Sequence, residues 1–338
     1  MKTVFAPHIG RHVKFGRKPR DPGGVRLHLS DFISHAALPP IPATFSYAAK
    51  AAVPLADIYG NDTMGDCVIA AGEHLAAVAT GNATGIPYHC TKAQIVAAYQ
   101  AVGGYVPGDE STDNGCNEQA YFDYLRTHGF SDGTKLIAAI SVNASSFSDV
   151  LAAAYLFENL FFGVALPDAW VAPFPAGPGF TWGVNGNADP NNGHAFLGIG
   201  GTASGPGAGI DIDTWGLLGK ITPGAIAAYA GPAGGGGLYT LLTPDILIKA
   251  VGKAPNGLAW DELIKAFDTL GGTVPVPAPA PPAPAPAPPA PPPKTMTLTL
   301  LQAQLYALDK LHNSRSLFFT KGTAQQLVAD SLAMHWVK

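Results

Sequence analysis

Between Pro275 and Pro293 the chain contains nothing but Pro, Ala and Val, and 12 of those 19 residues are Pro. No other feature limits the possible folds so sharply. Each Pro fixes its own φ and lacks an N–H, so the run can join neither a helix interior nor a sheet ladder. It adopts extended polyproline II and, at ~3.1 Å per residue, spans roughly 60 Å as a semi-rigid spacer. The run sets off a linker, 274–293, from a body before it and a tail, 294–338, after it. The tail reads as two helices. Thr299 and Gln302 fit a capping box ahead of Leu301, Leu305 and Leu308, and Gly322, Thr323 and Gln326 open the second helix ahead of Leu327, Leu332 and Trp336. So short a segment makes a small core, which predicts that it docks on something larger.

The body divides again by composition. Residues 1–50 are irregular, contain Pro, and carry Arg11, Lys14, Arg17, Lys18, Arg20 and Arg26, six of the 20 Lys and Arg in the chain. This basic arm reads as a solvated extension or as a grip on an acidic surface. Residues 51–273 form the main domain. Helical patterns cover Cys67 to about Thr80, Thr91 to Val102, Asn117 to His128 and Ser148 to Leu160. Strand-like runs follow at Phe161 to Leu166, His194 to Ile199 and Gly209 to Thr214. Helices first and strands later predict an α+β fold with a helical half and an antiparallel sheet half.

The net charge of −4 gives the chain no general attraction to nucleic acid. The longest apolar runs fall short of the roughly 20 residues that span a membrane. No secretory leader precedes the arm, and three cysteines do not make a disulfide framework. These features predict a cytoplasmic or virion-associated protein. No His, Cys or acidic cluster has metal-ligand spacing, and "GPAGGGG" (231–237) is not a phosphate loop, so no metal or cofactor is expected.

One cysteine stands apart. Cys67 lies where the Gly65-Asp66 turn gives way to a helical pattern, and a helix N-terminus stabilises a thiolate. Its nearest histidine, His74, is two turns down the same helix, roughly 10 Å away, and too far to serve as base. The base must come from elsewhere. His194 in "NNGHAFLGIGG" opens an apolar strand. In "GIDIDTWG", Asp211 and Asp213 share one face of a strand by its period of two. Asp213 is the better partner for the imidazole, because Trp215 can cover the pair.

Four segments in this order resemble the papain-like cysteine peptidases. "NDTMGDC" resembles the family's approach to its nucleophile, with Asn61 where the family has its oxyanion-hole Gln and Gly65 and Asp66 ahead of Cys67. "NGCNEQAYFDYLRTHGF" (114–130) resembles its Gly-Cys-Asn-Gly-Gly segment, "NGHAFLGIGG" its Asn-His-Ala strand, and "DTWG" its Asn-Ser-Trp-Gly. The resemblance spans about residues 55–245. It implies a Cys67–His194–Asp213 triad, an oxyanion hole assisted by Asn61, and a peptide or protein substrate. It also carries departures. Met64 stands where a disulfide partner of Cys116 would be. Glu118 and Gln119 replace two glycines along which the family's substrate lies, which predicts a narrowed cleft that favours basic over acidic substrates. Two readings follow. One is a cysteine peptidase or amidase. The other is a catalytically weak or inactive assembly protein on the same body, holding partners through arm 1–50 and tail 294–338.

Overall fold

A computed structural model describes residues 2–246 except 26, 36, 37 and 39. The linker 274–293, the tail 294–338 and the end of the 51–273 domain lie outside the described residues. Residues 1–50 supply four strands: β1 (Thr3–Ala6), β2 (Arg11–Lys14), β3 (Leu27–His28) and β4 (Thr44–Ser46). The helices are α1 (Ala52–Leu55), α2 (Cys67–Thr84), α3 (Lys92–Gly103), α4 (Glu118–Thr127), α5 (Phe147–Phe157) and α6 (Pro223–Tyr229). The remaining strands are β5 (Ala138–Ser141), β6 (Leu160–Pro167), β7 (Phe180–Trp182), β8 (Ala188–Thr202), β9 (Gly209–Thr214), β10 (Leu217–Ile221) and β11 (Gly237–Leu242).

Local chemistry sets most of these boundaries. Thr91 and Gln94 form the reciprocal capping box of α3, and Asn117 caps α4 through Ala120 N–H. Gly85 ends α2 in the left-handed region at φ +82°. Most of α2 is buried on all sides, Glu73 and His74 included. It is a core helix, which explains its run of Ala and Gly: Tyr121 lies so close that a Cβ on Gly72 would fall 2.3 Å from its ring.

The main sheet runs β3-β5-β11-β6-β8-β9-β10-β7, with β4 added on β8. It is antiparallel except at β3–β5 and β10–β7. Every residue of β6 is buried, so the continuous apolar run Leu160 to Leu166 marks the sheet's interior. Phe122, Phe157, Phe161, Phe162 and Phe196 are each at most 1% exposed, and each contributes roughly 2–3 kcal/mol of apolar burial. Helices α2 to α4 pack together on one side and α5 packs on the sheet. This is the α+β arrangement of helical half and sheet half that the sequence predicts.

The basic arm is not a solvated extension. β1 and β2 form a hairpin, and β3 and β4 join the main sheet. Its cations meet acids of the same chain: Arg11 with Asp62, Lys14 with Asp113, and Arg17 with Glu118. The acidic surface it grips is the body's own.

Candidate active site

The turn that delivers Cys67 is fixed from a distance. Met64 N–H donates to Gly60 C=O, and Gly65 N–H donates to Asp113 Oδ1 at 2.9 Å. Asp113 also accepts from Tyr99 Oη at 2.6 Å and from Lys14 Nζ at 2.9 Å. Burial would raise its carboxyl, but those three donors outweigh burial and hold it below the usual carboxylate range. Asp113 was not singled out in the sequence, where it sits in an unremarkable polar loop. Its neighbour Gly115, at φ +70° with its N–H on Tyr99 Oη, is the only local sign of a constrained turn there.

Cys67 is the first residue of α2 and 1% exposed. Burial pushes its thiol up to about 12, with the backbone amides of Ala195 and Gly16 offsetting part of that. His194 lies on β8 opposite Val164. Its ring stacks on Trp215 at 3.7 Å between centroids, with Phe15 edge-on at 6.3 Å. Burial alone drives its pKa down to about 3. Cys67, His194, Asn61, Asp213, Thr214 and Trp215 line one void of about 10 Å³, at the lower limit for a single water. The fold thus brings together residues 61, 67, 194, 213 and 215.

Two expected partnerships do not form. Asp213 does not orient His194. Its Oδ2 lies 2.9 Å from Nδ1 of His74, the histidine rejected as a base. His74 Nε2 donates to Asp57 C=O. Burial works against charge on His74, but Asp213 and Asp57 outweigh it and raise its pKa above the ordinary imidazole value. Burial in turn raises Asp213, with His74 offsetting part of the rise. The partner of His194 is Thr214, whose Oγ1 is 2.8 Å from Nε2; Nδ1 has no hydrogen-bond partner among the described residues. Nor is Asn61 aimed freely at an oxyanion. Its Nδ2 donates to Met64 C=O at 2.9 Å, and the same amide also lies within reach of the Asp66 carboxyl, whose pKa it lowers against the effect of burial. Asp66, the residue before the thiol, is fully buried with neither oxygen in a hydrogen bond of good geometry, and burial holds its carboxyl well above the usual range.

The cleft over the thiol is occupied by the arm. Cys116 N–H donates to Gly16 C=O at 3.0 Å, and Lys18 N–H donates to Cys116 C=O at 2.9 Å. From the other wall, Gly193 C=O accepts Arg17 N–H at 3.0 Å. Glycines make this threading possible. A Cβ would fall 1.9 Å from Gly16 O if placed on Gly115, and 2.1 Å from Arg17 O if placed on Gly193. Glycines that admit an extended backbone are therefore present, at Gly115 and Gly193, and Glu118 and Gln119 do not narrow the passage. Glu118 is buried under Arg17. Gln119 lies beneath the next stretch of the arm, where a Cβ on Gly24 would meet its amide. All three cysteines are free, and among the described residues no cluster of His, Cys and acids could hold a metal ion.

No family model and no curated protein matches the sequence. Solved structures do match the fold. Xylellain, a cysteine protease from Xylella fastidiosa, aligns over 72% of this chain and 98% of its own, with TM-score 0.50 and 11% identity. Procathepsin B S9 from Trypanosoma congolense aligns over 68% and 87%, with TM-score 0.49 and 13% identity. Digestive procathepsin L 3 of Tenebrio molitor aligns over 67% and 75%, with TM-score 0.47 and 13% identity. At 11% identity the likeness to xylellain speaks for architecture alone, and the chain has the papain-like fold.

Proposed function

We propose that the protein is a cysteine peptidase or amidase held latent by its own residues 15–18. The observation that carries this reading is the threading of Gly16 and Arg17 between Cys116 and Gly193, directly over Cys67. An extended backbone is already seated where a substrate backbone would lie. With the arm lifted, water reaches Cys67 and His194, and the burial that drives their pKa values apart is relieved. Cys67 Sγ then attacks the acyl carbon. The Cys67 N–H at the start of α2 and the Asn61 amide receive the developing oxyanion. His194 takes the thiol proton and passes it to the leaving amine, and water completes hydrolysis of the thioester. Thr214 holds Nε2 of the imidazole and Trp215 covers it. The segment is held by backbone hydrogen bonds, by the Arg17–Glu118 ion pair and by Phe15, which is buried edge-on against His194 and Trp215.

One observation favours a second reading, a non-catalytic body serving an assembly. Asp213 is committed to His74, and both Cys67 and His194 are neutral with the arm in place. Gly16→Ala, designed to displace the arm, separates the two. The hydrolase reading expects turnover of peptide amides by Gly16→Ala and none by Gly16→Ala/Cys67→Ala. A Gly16→Ala variant whose thiol reacts freely with alkylating agents, yet forms no acyl-enzyme with any peptide amide or thioester, would leave the assembly reading standing. No described helix is long and apolar enough to cross a membrane.

A further inference from the structure

The contacts that hold the arm in the cleft fall into two kinds. The hydrogen bonds to Cys116 and Gly193 use backbone atoms only, and any extended peptide can make them. The contacts of the Arg17 side chain are specific. Its Nε donates to Glu118 Oε1 at 2.6 Å, and its Nη1 donates to Gly235 C=O at 2.9 Å. Both side chains of the ion pair are 2% exposed. Gly163 forms the floor of this socket. A Cβ there would lie 1.7 Å from Glu118 Oε1 and 2.8 Å from Arg17 Nε. The backbone at Gly163 is not in the left-handed region, so its glycine serves the space and not the conformation. A carboxylate, a carbonyl and a bare floor thus surround a planar cation that reaches in from a backbone seated over Cys67.

We propose that this socket is a substrate-recognition subsite, and that Glu118 selects peptides presenting an arginine side chain where the arm now presents Arg17. The proposal rests on the hydrolase reading for its use in turnover, but the socket's preference exists without it. Removal of the arm leaves a carboxylate in a site shaped for burial, and an occupant that restores the ion pair is favoured over one that does not. A guanidinium reaches Glu118 and Gly235 C=O together through separate N–H groups. An ammonium is a single point of charge without that planar fork, and a neutral or acidic side chain leaves Glu118 unpaired.

Full-length Arg17→Ala tests this, because it empties the socket and leaves Glu118 in place. Ethylguanidinium chloride, far below denaturing concentration, is expected to raise the melting temperature of Arg17→Ala. It should not do so for the wild type, whose socket is filled, or for Arg17→Ala/Glu118→Gln. Ethylammonium chloride serves as the control for ionic strength and should give little shift. In Gly16→Ala, which displaces the arm, peptide amides that differ only by Arg, Lys, Ala or Glu at one position report turnover. The Arg peptide should exceed the Ala peptide by about 30-fold, and Glu118→Gln should remove most of that ratio. Absence of a guanidinium-specific shift, or turnover with no preference for Arg, overturns the proposal. A specific shift with no turnover of any peptide supports the socket and counts against the hydrolase. If Arg17→Ala does not fold, Gly16→Ala frees the socket with Arg17 retained, and the same outcomes apply.

Discussion

Gly16→Ala tests how tightly the arm closes the cleft, and its effect can be worked out in advance. A Cβ on Gly16 would lie 1.8 Å from Gly65 O, 2.2 Å from Gly65 C and 2.6 Å from Gly65 Cα. All three are backbone atoms, and Gly65 is tied to Asp113, so no rotamer change relieves the clash. On the opposite side Gly16 is bonded to Cys116. The methyl group has no space, and the arm must leave. The thiol of Cys67 is raised from 9.0 to about 12 chiefly by burial. Restoring it to its ordinary value shifts the pKa by about three units, so the thiolate fraction at pH 8 rises by about 10³. Iodoacetamide labelling, followed by mass spectrometry of the peptide carrying residue 67, measures this directly. Cys90, also buried but bonded to Ser131 and not to the arm, is the internal control and should label no faster in the variant. Wild type and Gly16→Ala labelling at the same rate would refute the reasoning, whether both were fast or both slow. Equal acceleration of all three cysteines would mean that the variant had unfolded.

Burial raises Glu73 from 4.5 to about 7, and bonds from Ser131 offset part of that effect. The folded state therefore holds this proton more tightly than the unfolded chain. Its stabilising share is complete below pH 4.5 and is lost as pH rises through 7, a change of about 3 kcal/mol. Glu73→Gln has no such proton, so urea unfolding should show the variant gaining on the wild type by about that amount between pH 4.5 and 8; a constant difference would mean that Glu73 titrates normally. Asp213→Asn should destabilise the protein by about 3–5 kcal/mol, because it strips His74 of its counter-ion. Thr214→Val in the Gly16→Ala background should instead lower turnover by about 10- to 100-fold with little change in melting temperature. An Asp213→Asn variant that lost turnover at unchanged stability would restore Asp213 as the partner of His194.

Where local signals were strong, the sequence was a good guide. The Gly65-Asp66 break lies just ahead of Cys67, where α2 starts, and the helical patterns read from Thr91 and Asn117 begin one residue later, at Lys92 and Glu118. The strand Gly209–Thr214 was legible in full from its alternation. The site was legible to the extent that order along the chain placed Cys67, His194, Asn61 and Trp215 around one void. The choice between Asp213 and Thr214 was not. They are adjacent on β9, face opposite ways, and only the packing of α2 against the sheet decides that His74 meets one and His194 the other. The contacts that hold the arm were the least legible. Its ion pairs join residues 51, 99 and 101 positions apart. No periodicity reports a contact over such separations, so the sequence left open whether the cations are solvated, grip an acidic surface or belong to a segment that covers the cleft.

The segment that closes the cleft is anchored at both ends. On one side β2 is held in its hairpin and by Lys14 on Asp113; on the other β3 is hydrogen-bonded to β5 in the main sheet. Opening is then the lifting of a loop, not the departure of a tail. The displaced segment stays near the cleft at an effective concentration on the order of millimolar. A free peptide must compete against that local concentration, so micromolar substrate cannot open the protein by mass action. Nor does a single chain cut between β2 and β3 discard the plug, since each half remains attached to the body. On the latent-hydrolase reading, latency of this kind would be ended by removing an anchor, or by a ligand that binds the lifted loop and the emptied cleft together.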